Sequence, residues 1–427
     1  MKKSIFFLSL ALALVACNKN TDTDGVRSGR TARVTISLQG VNLGQTKALP
    51  ATTDEVMVNT VDAFVFNSTG DLDAYGHYAS DKFTTTAGTT TLNDGEELEC
   101  TTGAGKKVYI IINGNDTNLE TGEIVFASIA TEAQLKARIF KLEDNMKAVG
   151  TPAVNRLQNF QMIGRTVNQT FSAGDNNVDV QVFRTVARVV IKKITKNFTS
   201  AGLAGDLVVK NIYMSNVVGQ YAFGNVIDGE YNWNASSIAA ALPAAKWHNK
   251  YVPAVAEPAT PASIGIESSY DLWLNRGLAA DVNIAEDASV TSDVESYFYV
   301  MPNDVPWGYD DDADAGTADV FGPCGGTPWS ARHTKLVIET QYAGKTYYYS
   351  IPIAENGVYP MGDDSDDGTG YAGIRANYSY EIEELELTRL GSTNPDEPTV
   401  AASVNFNITV KSWDVTALET ESGKYVI

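Results

Sequence analysis

An all-β, two-domain protein is predicted by three features of the sequence. Short stretches rich in Val, Ile, Tyr, Phe and Thr recur between turn signals, and clear helical spacing is confined to one segment. At 427 residues, the chain also exceeds what one core normally organises. A hydrophobic content of 44% with 10% aromatics suits a folded chain rather than a disordered one.

Residues 1–17 have the form of a secretory signal, with Lys2 and Lys3 ahead of an apolar run from Ile5 to Ala16 broken at Ser9. That run is too short to span a membrane permanently. Its end, Leu14, Val15, Ala16 and Cys17, resembles the lipobox of bacterial lipoproteins, in which the position of Cys17 is acylated and becomes the first mature residue. Asn18 to Gly29 is small, polar and charged, as a flexible tether should be.

The first strand follows. Ala32, Val34, Ile36 and Leu38 alternate with Arg33, Thr35, Ser37 and Gln39, which gives one apolar face. Val41 to Asp54, with Gly44, Lys47 and Pro50, reads as an exposed loop open to proteases. Lys47 is the only Lys or Arg between Arg33 and Lys82, so a trypsin-like enzyme has a single target there, the bond from Lys47 to Ala48.

Val61 to Phe66 and Lys106 to Ile112 are predicted as central strands of the first domain, each running into a turn signal at Asn67 to Gly70 and at Asn113 with Gly114. Gly103, Gly105 and Lys106 invite a phosphate-loop reading, but Cys100 stands where that pattern needs its first glycine. A strand also follows where a helix is required, so a turn into a strand is expected. Thr131 to Ala148 is the one predicted helix: Leu135, Ile139, Leu142 and Met146 line one face, and Thr131 with Gln134 can form a capping box. It is expected to lie over one face of the first sheet.

Val178 to Ile194 reads as alternating strand, and the domain boundary is expected just before it, giving domains over residues 48–177 and 178–390. Leu207 to Tyr213, Ser296 to Met301, Lys335 to Thr340, Thr346 to Ile353 and Tyr378 to Leu387 supply further strands. Asn225 to Asp293, rich in Ala, Pro, Ser and Asn, reads as an elaborated loop with short helical pieces. Residues 391–427 form a hinge and a last strand. Pro395 and Pro398 interrupt the sheet, and Val404, Phe406, Ile408 and Val410 then alternate with Asn405, Asn407, Thr409 and Lys411 as far as Trp413.

The charge balance, 32 basic against 52 acidic residues with no Lys/Arg cluster, argues against nucleic acid and against an anionic membrane surface as partners. His77, His248 and His333 stand in no metal-binding spacing, and no Gly-x-Ser-x-Gly elbow occurs, so no catalytic site, metal or cofactor is expected. The acidic runs Asp310 to Asp314 and Asp363 to Asp367 raise calcium, but the second has Ile374 where an EF-hand needs a bidentate Glu, and solvated loops are expected. Trp247, Trp307 and Trp329 are expected as core or loop anchors rather than sugar platforms. Whether Cys100 and Cys324 are bonded stays open.

The lipobox, the first strand, Lys47 and the hinged alternating tail, taken in that order, resemble the fimbrillins, the major fimbrial subunits (type V pilins) of the Bacteroidota. Ser296 to Asp304 (SYFYVMPND), Gly344 to Tyr348 (GKTYY) and Ile374 to Tyr380 (IRANYSY) are similar to inner segments of that family. The resemblance implies two transthyretin-like β-sandwich domains and export as an outer-membrane lipoprotein precursor held by lipid on Cys17. It implies removal of residues 18–47 by a trypsin-like surface protease and polymerisation by strand exchange. In that scheme, Val404, Phe406, Ile408, Val410 and Trp413 of one copy take the place vacated by Val34, Ile36 and Leu38 in the next. The implied partners are copies of the chain itself, the protease, and accessory anchor and tip subunits. The implied location is an extracellular fimbria serving adhesion and biofilm formation. The family's best known members are cut after arginine, whereas Lys47 stands here, which leaves the protease open. The alternative expectation is a tip or accessory fimbrial adhesin binding a host or bacterial surface ligand.

Overall fold

The computed structural model describes residues 31–40, 57–86, 89–114, 125–142, 160–198, 203, 205–215, 217–228, 247–248, 275–284, 289–290, 296–303, 334–353, 374–395, 404–412 and 419–420. In chain order the first strands are β1 (Thr31–Gly40), β2 (Met57–Val58), β3 (Thr60–Phe66), β4 (Leu72–Ala79), β5 (Phe83–Thr86), β6 (Thr89–Leu92), β7 (Leu98–Thr101) and β8 (Gly103–Ile112). Helix α1 (Glu132–Lys136), β9 (Ile139–Lys141), β10 (Met162–Phe171) and β11 (Gly174–Arg184) complete the first part. Nine of these strands make one sheet in the order β4-β3-β8-β10-β11-β1-β6-β5, with β7 also paired to β1.

Period-two alternation explains how this sheet buries both faces along its middle. Val61, Ala63 and Val65 of β3 and Val108, Ile110 and Ile112 of β8 turn into a core that the sheet closes around, together with Val34, Ile36 and Leu38. Their neighbours Phe64, Phe66, Tyr109 and Ile111 turn the other way, into a second core shared with the rest of the molecule. Burial on both faces is why these two strands read as nearly continuous apolar runs.

The remaining strands are β12 (Ala187–Ile191), β13 (Ile194–Lys196), β14 (Leu207–Ser215), β15 (Val217–Val218) and β16 (Gln220–Ala222), followed by helix α2 (Phe223–Asp228). After it come β17 (Trp247–His248), β18 (Asn275–Ile284), β19 (Ser289–Val290), β20 (Ser296–Val300), β21 (Lys335–Tyr342), β22 (Lys345–Pro352), β23 (Tyr378–Leu387), β24 (Val404–Ser412) and β25 (Glu419–Thr420). One sheet runs β19-β13-β23-β12-β20 with β24 on β23, and a second runs β18-β14-β21-β22. Val189, Ile191, Tyr380 and Ile382 of the first and Val209, Ile212, Leu336 and Ile338 of the second contribute to one core, so both sheets bury a face against shared apolar side chains. The all-β class is therefore the observed one.

Two expectations are corrected, and the change of sheet is located near the expected boundary. The helix from Thr131 to Ala148 is a single turn and a half: Thr131 Oγ1 does accept the backbone N–H of Gln134 at 3.2 Å, but α1 ends at Lys136. Ile139 to Lys141 instead pairs antiparallel with Gln220 to Ala222, which leaves Ile139 49% exposed while Phe140 and Leu142 are buried. A β-branched residue beside an aromatic, with a strand to pair with, follows period two rather than 3.6. The change of sheet falls at Thr185 and Val186, after β11, because Val178, Val180 and Val182 face the first core beside β1. Lastly, the stretch read as loop from Asn225 to Asp293 contains β18, whose bulge opposite Val209 and Asn211 breaks the alternation that would have marked it.

A polar network joins the first sheet to the two helices. Glu132 of α1 accepts from Lys107 Nζ and Tyr109 Oη of β8, both at 2.6 Å, while Asp228 of α2 accepts from Lys136 Nζ at 2.9 Å and from Arg165 of β10. Burial pushes the Glu132 carboxyl up, but these hydrogen bonds and the lysine charges outweigh it and hold it below its ordinary 4.5. Asp228 is likewise held below its ordinary 3.8, burial being outweighed by its bonds from Lys136 and Arg165. A depressed carboxylate contributes stability above its unfolded value and loses it as pH falls through the folded one. Glu132→Gln is thus expected to lower stability by about 1 to 2 kcal/mol near neutral pH, the lower part of the range for bonds to charged groups because the lysines are partly exposed. That deficit should shrink as pH falls through the lowered Glu132 value and vanish at a pH where Glu132 is protonated in the folded chain, as seen by urea unfolding of both chains across pH. A deficit that persists unchanged at that pH would contradict the assignment.

Candidate assembly groove

β1 is hydrogen-bonded on both edges. On one side it runs parallel to β11 in continuous register from Ala32 opposite Gly174 to Gly40 opposite Val182. On the other, Thr31 to Val34 pair antiparallel with Thr101 to Leu98, and Ser37 to Gln39 pair with Thr91 to Thr89. Ala32, Val34, Ile36 and Leu38 are at most 1% exposed. Sequence alternation put these four residues on one face, and all four are buried. The opposite row holds local polar contacts, such as Ser37 Oγ with Thr91 Oγ1 at 3.2 Å and the exposed pair of Arg33 with Asp175 at 2.6 Å.

Because β1 precedes every other described strand, it can leave without any later connection being cut. Its departure would open a slot between β11 and the pair β6 and β7, lined by Val178, Val180, Leu98 and Cys100 among others. Cys100 is a free, buried thiol directly opposite Ala32. Burial first, and then the nearby Asp73 carboxylate, push its pKa up to about 12 despite the offset from Lys106, which disfavours the reactive thiolate while β1 is seated.

The tail sits differently from the sequence expectation. Far from swinging free, β24 pairs antiparallel with β23 of its own chain from Ser412 opposite Tyr378 to Val404 opposite Leu387. This register sets Val404, Phe406, Ile408 and Val410 opposite Leu387, Leu385, Ile382 and Tyr380, all core residues. The segment entering the break is also docked: Ser392 and Tyr348 exchange two backbone hydrogen bonds at 2.7 and 3.0 Å, and Ser350 Oγ donates to Pro395 O. Gly391 lies so close to β22 that a Cβ there would meet the Tyr348 carbonyl oxygen at 2.2 Å. Prolines end a ladder, but they do not stop the preceding residues from being pinned by side chains and bridges. Beyond β24, β25 pairs parallel with β2. Cys17, Lys47, Ala48, Trp413, Cys324 and both acidic runs lie outside the described residues.

Two of the inner family-like segments meet in the structure. Asn303 and Ile374 bridge with backbone bonds of 2.8 and 3.1 Å, and Tyr380 Oη accepts the Arg375 N–H at 2.9 Å. Asn377, at φ 63, donates its backbone N–H to Val186 O at 2.9 Å and accepts the Arg184 N–H on its side chain at 3.2 Å. It therefore fixes the point where the chain changes sheets, in a left-handed conformation that asparagine tolerates better than most residues.

Residues 32–184 match the family model described as major fimbrial subunit protein (FimA). This part of the chain is similar to that family. The match starts at the first buried residue of β1 and ends with β11, so it is coextensive with the nine-stranded sheet and its outer helix. Among solved structures, a fimbrilin (FimA) of Porphyromonas gingivalis is similar at 16% identity and TM-score 0.51, covering 90% of this chain and 98% of that one. Candidate cell adhesion proteins of Parabacteroides distasonis (13% identity, TM-score 0.53, 89% and 97% covered) and Bacteroides eggerthii (16%, 0.53, 90% and 97%) are similar too. At these identities the likeness speaks for the fold, and it extends well past the family match. No curated protein sequence matches the chain.

Proposed function

We propose that the chain is a structural subunit of a surface fimbria, made as a lipoprotein precursor acylated at Cys17, cut between Lys47 and Ala48, and polymerised by strand exchange. The observation that carries this reading is β1: an N-terminal strand bonded on both edges, fully buried along one face, and followed by a loop with a single tryptic site. Such a strand holds the precursor folded and idle, and its loss leaves two open edges beside an apolar slot, a ready acceptor for an added strand.

The tail supplies the replacement. It offers Val404, Phe406, Ile408 and Val410 where β1 offered Ala32, Val34, Ile36 and Leu38. Exchanging an alanine for one more large side chain favours the incoming strand by about 1 to 3 kcal/mol before ordering costs. The docking of β24 on β23 adds a step: the tail must leave its own sheet before it reaches a neighbour. Lipid on Cys17 holds the precursor at the membrane until the cut, since each buried acyl CH₂ contributes about 0.8 kcal/mol.

Alkylation at Cys100, read by peptide mass, tests this reading. The thiol should be inert in the purified precursor, react at least about a hundredfold faster once residues up to Lys47 are removed, and become inert again in fibres. Continued protection of Cys100 after cleavage, or fibres whose first residue lies upstream of Val34, would rule out eviction of β1.

A further inference from the structure

Among the described residues, β5, β6 and β7 are joined by backbone ladders to the rest of their sheet only through β1. With β1 gone, the five strands β4-β3-β8-β10-β11 and the segment from Phe83 to Thr101 share no ladder, yet that segment is one wall of the slot. A different link lies on the far side of β7, where it runs beside β4 without pairing to it. Asp73 of β4 accepts the Thr101 backbone N–H and hydroxyl, each at 3.0 Å, and the Lys106 ammonium at 2.7 Å. Lys106 Nζ donates in addition to Thr101 Oγ1 at 2.9 Å. The Lys106 and Asp73 side chains are only 5% and 9% exposed.

The backbone aims Asp73 at this seam. Val65 pairs with Ala74 and Phe66 with Leu72, so Asp73 is the extra residue of a β-bulge, and bulges turn a side chain out of the regular alternation. Lys106, the residue that invited a phosphate-loop reading, is thus committed to a buried ion pair.

We propose that Asp73, Thr101 and Lys106 are a latch that keeps the β5–β6–β7 wall seated after β1 is removed, so that the slot is preformed when the next subunit's strand arrives. The inference rests on the strand-exchange reading above. In the precursor the latch is redundant, because β1 already ladders the wall to β11. After cleavage it is the polar tie across the seam, and a wall that came loose would have to be reordered by each incoming strand, which weakens and slows binding. The three residues are positioning residues and touch no incoming side chain.

The test compares the full-length chain with Asp73→Asn/Lys106→Gln, which leaves no unpaired charge, before and after limited trypsin cleavage at Lys47. Amide hydrogen exchange over residues 83–101 should be equally slow in both precursors. After cleavage it should stay slow in the wild type and rise at least about tenfold in the variant, whose polymerisation should slow by a similar factor. Thr101→Val, which keeps both charges, should show the same defect in milder form, and Thr101→Ser should behave as the wild type; this pair decides the matter if the double variant does not fold. The latch is overturned if the cleaved wild type already exchanges freely over this segment. It is equally overturned if the variants stay protected and polymerise at the wild-type rate. A cleaved wild type that stays protected over residues 83–101 but forms no polymer would count against the fimbrial reading while supporting the latch.

Discussion

Ile36→Asp is expected to destabilise the first sheet of the unprocessed chain by several kcal/mol, while Arg33→Ser, three residues away, leaves it nearly unchanged. Ile36 is 1% exposed and lies opposite Val178 in the middle of the β1–β11 ladder. Truncating a buried isoleucine costs about 2 to 5 kcal/mol, and a carboxylate left unpaired in the same place adds several more. Against a total stability of about 5 to 15 kcal/mol, little remains. The damage also spreads beyond one strand, since among the described residues β5, β6 and β7 have ladders to the rest of the sheet only through β1 and are otherwise tied to it by Asp73, Thr101 and Lys106. Arg33 forms an ion pair with Asp175 in which both side chains are more than half exposed, a contact that solvent and salt largely screen. Urea unfolding followed by far-ultraviolet circular dichroism separates the two outcomes. An Ile36→Asp precursor that unfolds cooperatively within about 1 kcal/mol of the wild type would mean that β1 is not what holds this sheet together.

The sequence displayed β1 and β24 plainly because each alternates apolar and polar residues without interruption over its length, and such a pattern admits one reading. β10 hid for the opposite reason: its register against β8 shifts twice between Thr166 and Phe171, with Asn168 at φ 58, so the alternation is broken in the middle of the strand. β5 and β6 are mostly threonine, and only Phe83, Thr90 and Leu92 are buried, which makes a hairpin look like a polar spacer. In α1 and β9 a spacing that fits a helix also fits a short helix followed by a strand, and the partner that decides, β16, lies far along the chain.

The candidate groove was legible in the strand that fills it, β1, and illegible in its closure. Nothing local marks Asp73 as a bulge residue or links it to Lys106, 33 positions later. The docking of the tail on β23 was equally hidden, because Pro395 and Pro398 announce a break in the ladder and say nothing about where the chain resumes. That docking changes how donor-strand capture has to be tested. Ile408 is opposite Ile382 of its own chain, so a substitution in the tail disturbs folding and assembly together.

Supplying the strand as a separate peptide removes that ambiguity. A chain carrying Ile408→Asp, cleaved after Lys47, should be unable to fill its neighbour's slot, because an unpaired carboxylate would enter an apolar groove. A peptide of residues 402–412 with the natural sequence should then occupy the slot: four apolar side chains at about 1.5 to 3 kcal/mol each provide about 6 to 12 kcal/mol before ordering costs. At peptide concentrations about a hundredfold above the dissociation constant, the cleaved chain gains about 2.7 kcal/mol, which for domains of this size raises the unfolding temperature by about 5 to 10 °C. An Asn407→Asp peptide should come close to the natural one, and an Ile408→Asp peptide should do nothing. The uncleaved form of the same variant is the decisive control. Its β23 edge is as available to the peptide as that of the cleaved chain, but β1 still fills the slot, so stabilisation confined to the cleaved form identifies the slot as the binding place. Equal stabilisation of both forms would put the peptide on β23 and leave strand exchange without a groove to act in.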